Sequence, residues 1–264
     1  MWQQLLSVAN FRHEPIETLR VMTCAGGRLA PASVRELRHA QPQAELFLMY
    51  GLTEVFRSTF LPPADVDAHP DSMGRAIPES TVYVVRDDGR LAPNGEIGEL
   101  VHGGPTVGIG YLGDPDATAR VFRPNPFRDA DEAAPARVVF SGDLVRRDAA
   151  GFLYFVGRRD RMIKTLGFRV SPDEIADVIQ ASGEVADVAV IASADPVRGE
   201  RIIACLVLAP GGDIGKLKAF CKRELPRHMH PARYAELPAI PRNASGKHDI
   251  PALQEAIAAE SAST

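Results

Sequence analysis

Apolar and polar positions along the first 73 residues follow a strand–helix–strand order. LFLMY (46–50) is a continuous apolar run that stops at Gly51, and PASVRELRHAQ (31–41) carries its apolar positions at helical spacing. A continuous apolar run of strand length is typical of a strand buried in a parallel sheet. Residues 1–73 are therefore predicted to be part of an α/β subdomain.

Residues 74–159 change to short apolar runs separated by turn sequences. TVYVV (81–85) precedes Asp-Asp-Gly, a turn signal between strands, and further strand-like runs follow. A helix interrupts them at 114–122, where Asp114-Pro115 suits an N-cap followed by proline in the first turn. The pattern predicts a β-rich, barrel-like subdomain, either an antiparallel sheet or a barrel.

The pattern changes again after Asp160. SPDEIADVIQA (171–181) begins with Ser171 as N-cap, then proline, with a glutamate in the capping-box position. Two apolar runs of strand length and two helix-like stretches follow. Residues 160–264 are therefore predicted to form a small α+β domain, joined by a hinge at Asp160 to a large-domain part at 1–159.

Composition narrows the function classes. The 264 residues carry a net charge of −4, with 45% hydrophobic and 24% charged residues, which is ordinary for a globular protein and gives no reason to expect a nucleic-acid partner. The chain has no apolar run of the ~18 residues that a membrane span needs, and its first residues lack the features of a secretory signal. The three cysteines, Cys24, Cys205 and Cys221, are far apart, so neither a disulfide framework nor a zinc site is expected. We therefore expect a cytoplasmic protein.

Chemistry-bearing residues follow the predicted strand at 46–50. The string Tyr50-Gly51-Leu52-Thr53-Glu54 stands where a strand enters a loop, at the usual ligand-binding edge of an open α/β sheet. There the Thr53 hydroxyl could bond a phosphate and the Glu54 carboxylate a magnesium ion. A plain turn with a surface glutamate explains the same string, and for a motif this short it is the preferred interpretation.

Three further clusters are each ambiguous by themselves. Asp143, in Ser141-Gly142-Asp143, could accept both hydroxyls of a ribose or cap a turn. The charged stretch 157–170 could be a hinge that contacts a ligand or a solvated linker. Lys247, at the end of the turn-rich sequence 241–247, could neutralise developing negative charge or be an ordinary exposed lysine.

The order and spacing of these clusters resemble the adenylate-forming superfamily of acyl-CoA synthetases, luciferases and peptide-synthetase adenylation domains. Seven core motifs of that family occur in sequence order over essentially the whole chain. They are CAGGRL (24–29), YGLTE (50–54), GELVHGGPTVGIGYLGDPDATARVF (98–122), SGDLVRRDAAGFLYFVGRRD (141–160), GRRDRMIKTLGFRVSPDEI (157–175), ELPRHMHP (224–231) and NASGK (243–247). The resemblance implies an AMP-forming acid–thiol ligase that uses ATP and Mg²⁺.

The resemblance assigns one group of residues to the nucleotide. These are Gly26, Gly27, Tyr50, Gly51, Thr53, Asp143 and Arg158. In the family, the glycine pair lets the backbone approach adenine, the aromatic residue lies against the base, and the threonine bonds the α-phosphate. The aspartate binds the ribose hydroxyls with help from the arginine, and Glu54 would hold the magnesium ion.

The resemblance also assigns residues to the chemistry and to a domain rotation. Lys247 would bridge the acyl carboxylate and the phosphate, completing a catalytic set with the threonine and glutamate of YGLTE. Asp160 would be the hinge, and Lys164 and the Gly167 loop would reach the site for the thiol step. The implied partners are a small-molecule carboxylic acid, ATP and, as thiol acceptor, coenzyme A or an acyl carrier protein.

The sequence departs from the family in two places. A Ser/Thr/Gly-rich loop ending in Pro-Lys-Gly, which in the family holds the β- and γ-phosphates, does not occur among the 264 residues. We therefore expect an N-terminally truncated ligase whose missing half comes from a longer or a separate polypeptide. His228 stands where the ninth motif often has tyrosine, a position that is structural in the family. His228, His230 and His248 lack a carboxylate or cysteine at ligand spacing, so they are interpreted as surface histidines.

Alternatives stay open at this point. The motifs look most like acyl-CoA ligases associated with bacterial exosortase and exopolysaccharide gene clusters, rather than like a peptide-synthetase module with its carrier domain. The chain could instead be a non-catalytic remnant or an interaction module that binds AMP or acyl-AMP weakly. Intact Glu54, Asp143, Arg158 and Lys247 favour descent from an active enzyme.

Overall fold

The computed structural model describes residues 1–6, 8–128, 134–195, 199–244 and 246–262. The chain divides into two compact units, Met1–Val156 and Gly157–Thr264. Each unit has hydrophobic clusters of its own. The division falls close to the boundary predicted at 159/160, while the role of Asp160 as a hinge stays a prediction.

The first unit contains both helices and strands. Its helices are α1 (Trp2–Leu6), α2 (Ala9–His13), α3 (Pro31–Ala40) and α4 (Pro115–Val121). Its strands are β1 (Val21–Cys24), β2 (Glu45–Tyr50), β3 (Thr59–Leu61), β4 (Ser72–Ala76), β5 (Thr81–Val85), β6 (Ile97–Gly103), β7 (Phe122–Pro124), β8 (Arg137–Arg147) and β9 (Leu153–Arg158). The helices predicted at 31–41 and 114–122 are confirmed, whereas the sequence pattern did not predict α1 and α2.

These strands form a mixed sheet. Within the described residues its order is β1-β2-β3-β4-β9-β8-β6-β5, with β7 beside β8. β1 and β2 run parallel, with Cys24 opposite Leu48, whereas β2 pairs antiparallel with β3, and β6 antiparallel with β5 and β8. The described strands leave β1 and β5 as the two edges of an open sheet. The barrel-like alternative for residues 74–159 is therefore wrong, and the antiparallel-sheet alternative is right.

Helix α3 packs on β1 and β2 because its apolar positions fall on one side. Val34, Leu37 and Ala40 are buried in one cluster with Met22 and Leu46. Burying a leucine side chain stabilises a fold by about 1.5–3 kcal/mol. This packing fixes β2, whose last residue begins the YGLTE loop.

The second unit consists of a smaller sheet and helices. Its strands are β10 (Ile163–Thr165), β11 (Phe168–Val170), β12 (Val185–Asp195), β13 (Gly199–Leu208) and β14 (Arg233–Glu236). Its helices are α5 (Pro172–Ala181), α6 (Ile214–Glu224) and α7 (Ile250–Ala262). The order in the sheet is β11-β10-β13-β12, with β14 parallel to β13. The pattern did not predict the β10–β11 hairpin or β14, because all three strands are only three or four residues long.

Alternate residues of β13 pack into two different hydrophobic clusters. Ile202, Ala204 and Leu206 belong to a cluster with α5 and α6, whereas Ile203 and Cys205 belong to a cluster with α7. Successive side chains of a strand point to opposite faces of the sheet, so helices cover both faces here. The predicted fold class, α/β followed by α+β, is confirmed.

Both predicted helix caps are present. The Ser171 hydroxyl accepts a hydrogen bond from the Glu174 N–H at 3.3 Å and starts α5. The Asp114 carboxylate accepts from the Ala117 N–H at 2.8 Å and starts α4. Across the described ranges, no helix is long and apolar enough to cross a membrane.

Candidate functional site

The parallel pair β1–β2 brings two predicted nucleotide segments to one edge of the sheet. Gly26 and Gly27 follow β1, and the YGLTE loop follows β2. Gly26 has φ +83°, and a Cβ at either glycine would meet no heavy atom within 4 Å. The backbone at this edge is therefore open to close approach by a ligand, as glycine permits.

The YGLTE loop turns tightly because Gly51 has no side chain. A Cβ at Gly51 would lie 2.4 Å from the Arg57 backbone nitrogen. Across the turn, the Leu52 N–H donates to the Val55 carbonyl at 3.0 Å, and the Gly108 N–H donates to the Glu54 carbonyl at 2.8 Å. These bonds fix the backbone that presents Thr53 and Glu54, and the Thr53 side chain is exposed.

Tyr50 and Asp143 contact each other although 93 residues separate them. The Tyr50 hydroxyl donates a hydrogen bond to the Asp143 carboxylate, and Asp143 is only 3% exposed. The Asp143 N–H donates to the Ser141 hydroxyl at 3.0 Å, while the Gly142 N–H donates to the Glu99 carboxylate at 2.8 Å. The fold thus joins the predicted base-side and ribose-side residues and supports them with Ser141 and Glu99.

His102 is buried and stacks on Tyr50, and the sequence patterns did not single it out. The two rings stack with centroids 5.7 Å apart and an interplanar angle of 19°. His102 is fully buried, and burial lowers its pKa to about 3. Neither ring nitrogen has a hydrogen-bond partner among the described residues. His102 is therefore a neutral aromatic residue at physiological pH, and its only sequence signal was a histidine inside the apolar run of β6.

Glu54 contacts a second residue that the sequence analysis missed. The Tyr111 hydroxyl donates a hydrogen bond to the Glu54 carboxylate, and the Tyr111 N–H donates to the Thr118 hydroxyl at 2.8 Å. Magnesium in nucleotide sites commonly binds one or two carboxylates together with substrate phosphates. One partly exposed carboxylate beside Thr53 fits that arrangement. In the described part of the chain, no group of three or more metal-ligating side chains forms a protein-only metal site.

The predicted thiol-step residues lie on the β10–β11 hairpin of the second unit. Its turn consists of Leu166 (φ +52°) and Gly167 (φ +82°). Lys164 is exposed, and its backbone N–H donates to the Glu200 carboxylate at 2.5 Å. Phe168 stacks on His228 with ring centroids 4.1 Å apart, so the histidine that replaces a tyrosine packs against this hairpin.

The predicted hinge and lysine residues also lie in the second unit. The Arg158 Nε lies 3.2 Å from the Asp160 carboxylate, so these two residues form an exposed ion pair. Lys247 is exposed at the end of a short loop, where the Asn243 N–H donates to the Lys247 carbonyl at 2.8 Å. Ser245 of the NASGK motif lies outside the described residues. Of the remaining histidines, His230 lies 2.9 Å from the Leu225 carbonyl.

Family models match both parts of the chain. The model of the AMP-binding enzyme matches residues 1–112, and the model of the AMP-binding enzyme C-terminal domain matches residues 174–247. The YGLTE loop lies inside the first match, and the second match ends at Lys247.

Curated relatives include a biosynthesis protein and a synthase. Novobiocin biosynthesis protein H from Streptomyces niveus is 34% identical over 255 residues, which are 96% of this chain and 41% of that protein. Tyrocidine synthase 3 from Brevibacillus parabrevis is 31% identical over 236 residues, which are 89% of this chain and 4% of that protein.

Solved structures with the same fold include a CoA synthetase. The o-succinylbenzoate CoA synthetase from Bacillus subtilis, in complex with the acyl-adenylate intermediate OSB-AMP, superposes with a TM-score of 0.81 at 27% identity, covering 96% of this chain and 49% of that one. The same synthetase is also known in complex with ATP and a magnesium ion. The chain spans less than half the length of each of these relatives.

Proposed function

The chain belongs to the AMP-binding enzyme family, and we propose that it carries the nucleoside-recognising part of an AMP-forming acid–thiol ligase. The observation that supports this most strongly is the bond between Tyr50 and the buried carboxylate of Asp143. A carboxylate oxygen can accept more than one hydrogen bond, and the two hydroxyls of a ribose are donors of the right chemistry. The aromatic ring beside it offers a flat face to a purine.

The nucleoside would be recognised mainly by residues of the first unit. The open backbone at Gly26 and Gly27 would lie beside adenine, with Tyr50 against the base. His102 stacks on Tyr50 and would keep that ring in place without adding charge. Asp143 would accept the ribose hydroxyls, and Arg158 would assist it.

The α-phosphate would be handled by the YGLTE loop. The Thr53 hydroxyl would donate to a phosphate oxygen, and the Glu54 carboxylate would hold magnesium while Tyr111 fixes the orientation of Glu54. A bound magnesium ion would neutralise phosphate charge. Gly51 would contribute by keeping this turn tight enough to present both side chains.

We propose that the reaction has two half-reactions. In the first, a carboxylate oxygen attacks the α-phosphorus of ATP, the bond to pyrophosphate breaks, and acyl-AMP forms. The Lys247 ammonium would neutralise charge between the carboxylate and the phosphate in that transition state. In the second, a thiolate sulfur attacks the acyl carbon and AMP leaves.

We assign the thiol half-reaction to the β10–β11 hairpin of the second unit. Lys164 and the Gly167 turn would face the nucleotide after rotation about Asp160, because two reactions on one substrate need different neighbours. The acceptor we propose is coenzyme A, with an acyl carrier protein as the alternative. A cytoplasmic location suits these substrates and the three free cysteines.

Adenylation would require a segment that these 264 residues do not contain. They include no Pro-Lys-Gly loop to hold the β- and γ-phosphates, and in-line transfer needs the leaving pyrophosphate fixed and neutralised. Positioning supplies roughly 7–11 kcal/mol of a catalysed barrier, and much of it depends on those contacts. The second candidate function, a module that binds AMP without turnover, rests on the same nucleoside contacts.

Pyrophosphate exchange separates the two functions. We define the completed enzyme as this chain joined to the unmatched half of o-succinylbenzoate CoA synthetase, and we expect it to exchange pyrophosphate into ATP with at least one member of a panel of carboxylic acids. The chain alone should stay at the level of its Glu54→Ala variant. Exchange by the chain alone, clearly above that variant, would contradict the need for a further segment. A completed enzyme that binds AMP but exchanges with no acid would favour the binding module.

A further inference from the structure

One carboxylate holds both ends of the loop that carries Lys247. Asp187 lies near the start of β12, and its Oδ2 atom is 2.5 Å from Arg242 Nη2. Its Oδ1 atom is 3.0 Å from His248 Nε2. Arg242 and His248 are antiparallel bridge partners on either side of the loop. Asp187 is not part of the loop, but it contacts the residues at both of the loop's ends, which together form its base.

The same arginine reaches into the loop. Arg242 Nη1 donates to the Gly246 carbonyl at 3.0 Å, directly before Lys247. The Lys247 N–H donates to the Asn243 side-chain oxygen at 3.1 Å, and the Gly246 N–H donates to the Asn243 carbonyl at 2.9 Å. The backbone of Lys247 is thus connected to Asp187 through a continuous set of hydrogen bonds.

The Asp187 carboxylate contacts two nitrogen groups that also lie close to each other. Arg242 Nη2 and His248 Nε2 lie 3.2 Å apart, and the carboxylate lies within hydrogen-bonding distance of both nitrogens. Burial alone would raise the pKa of Asp187, but hydrogen bonding and the charges of His248 and Arg242 outweigh it and hold the pKa below its usual value. Asp187 is therefore ionised at neutral pH, when it is needed to hold both partners.

We propose that Asp187 is a positioning residue for adenylation, which holds the Arg242–His248 base so that the Lys247 ammonium points at the reacting phosphate. The inference rests on the proposed function, in which Lys247 contacts that phosphate. A lysine on a turn-rich loop has many side-chain and backbone conformations, and a displacement of about 1 Å of a catalytic group can cost roughly 100-fold in rate. Asp187 itself touches neither the substrate nor the reacting atoms.

The contacts of Asp187 with Arg242 and His248 are called the clamp below, and they are tested first on the 264-residue chain. The measurement is hydrogen exchange at the amides of Asn243, Gly246 and Lys247. In Asp187→Asn these amides should exchange roughly tenfold faster, the factor expected when a charge-assisted hydrogen bond is lost. Asp187→Glu should restore part of the protection. The matched control is Asp213→Asn, because Asp213 caps α6 in the same unit by accepting from Gly215 and Lys216. Equal exchange in the wild type and Asp187→Asn would overturn the clamp.

The positioning role is tested in the completed enzyme by separating the half-reactions. Asp187→Asn should lower kcat for acyl-adenylate formation about tenfold with little change in the KM for ATP, and should leave thiol transfer from supplied acyl-AMP unchanged. If Lys247→Ala disables adenylation but Asp187→Asn leaves it unchanged, the positioning role is wrong. If Lys247→Ala itself has no effect, the proposed function of Lys247 is wrong and the inference falls with it.

Discussion

The candidate site residues of the two units differ in how firmly the fold holds them. In the first unit, Asp143 is 3% exposed and accepts a hydrogen bond from Tyr50, which stacks on a fully buried histidine. In the second unit, Lys164 and Lys247 are exposed, and their backbone N–H groups make the hydrogen bonds that fix them. Fixed groups suit recognition of a nucleoside that stays bound. Exposed lysine side chains suit roles in which a group acts in one half-reaction and withdraws in the other.

The largest effect should come from substituting an exposed lysine of the second unit. In the completed enzyme, Lys247→Ala should slow acyl-adenylate formation by roughly two to three orders of magnitude, as losing a transition-state charge partner typically does. Thiol transfer from supplied acyl-AMP should change much less, because Lys247 would contact the phosphate only during adenylation. Rapid-quench measurement of the two half-reactions gives both rates.

A second exposed lysine of the same unit provides the control for that experiment. Lys222 is exposed on α6 in the same unit, so Lys222→Ala changes the net charge equally and should leave both half-reactions unchanged. Equal losses in the two half-reactions of Lys247→Ala would reject a role confined to adenylation.

A smaller effect should come from the buried histidine of the first unit, which should make that unit less stable at acidic pH. The pKa of His102 is about 3 in the folded state and ~6.5 in the unfolded chain, so the unfolded state alone gains a proton as the pH falls below 6.5. Stability is then fully present above pH 6.5 and decreases by about 1.4 kcal/mol per pH unit towards pH 3, or about 2 kcal/mol by pH 5. His102→Leu should remove this loss and cost little at pH 8, because no described hydrogen bond is given up.

The single tryptophan makes this effect measurable in one unit. Trp2 lies in the first unit, and its indole N–H donates to the Thr23 carbonyl at 3.0 Å, so its fluorescence in urea reports unfolding of that unit. His39→Gln, on the exposed face of α3, is the control. A wild-type chain that is as stable at pH 5 as at pH 8, relative to His102→Leu, would contradict the burial of a neutral imidazole.

Local sequence signals predicted the local structure. The apolar spacing of α3, the Ser171 cap of α5 and the Asp114 cap of α4 depend on residues within one or two turns, and all three are present. The short apolar run of β2 was also predicted, although it was expected in a parallel sheet and pairs antiparallel with β3 on one side. A strand's own residues specify its burial but not the direction of both neighbours.

Contacts between distant residues could not be predicted in this way. Three strands separate β2 from β8 in the pairing order, yet Tyr50 contacts Asp143, a contact that strand order alone does not indicate. Tyr111 beside Glu54 and Asp187 beneath the Lys247 loop depend on the same kind of long-range geometry. The motifs named the residues that the resemblance assigns to chemistry. They did not assign a role to the residues that hold them.

The most direct test of the central claim is AMP binding by the 264-residue chain, measured by titration calorimetry. The wild type should bind AMP weakly, and Asp143→Asn should weaken that binding roughly tenfold, because a charged acceptor for the ribose hydroxyls is lost. Asp88→Asn, in a partly exposed turn of the same unit, should bind AMP like the wild type. No measurable AMP binding, or equal affinity in Asp143→Asn and the wild type, would contradict a nucleoside site built on Tyr50 and Asp143.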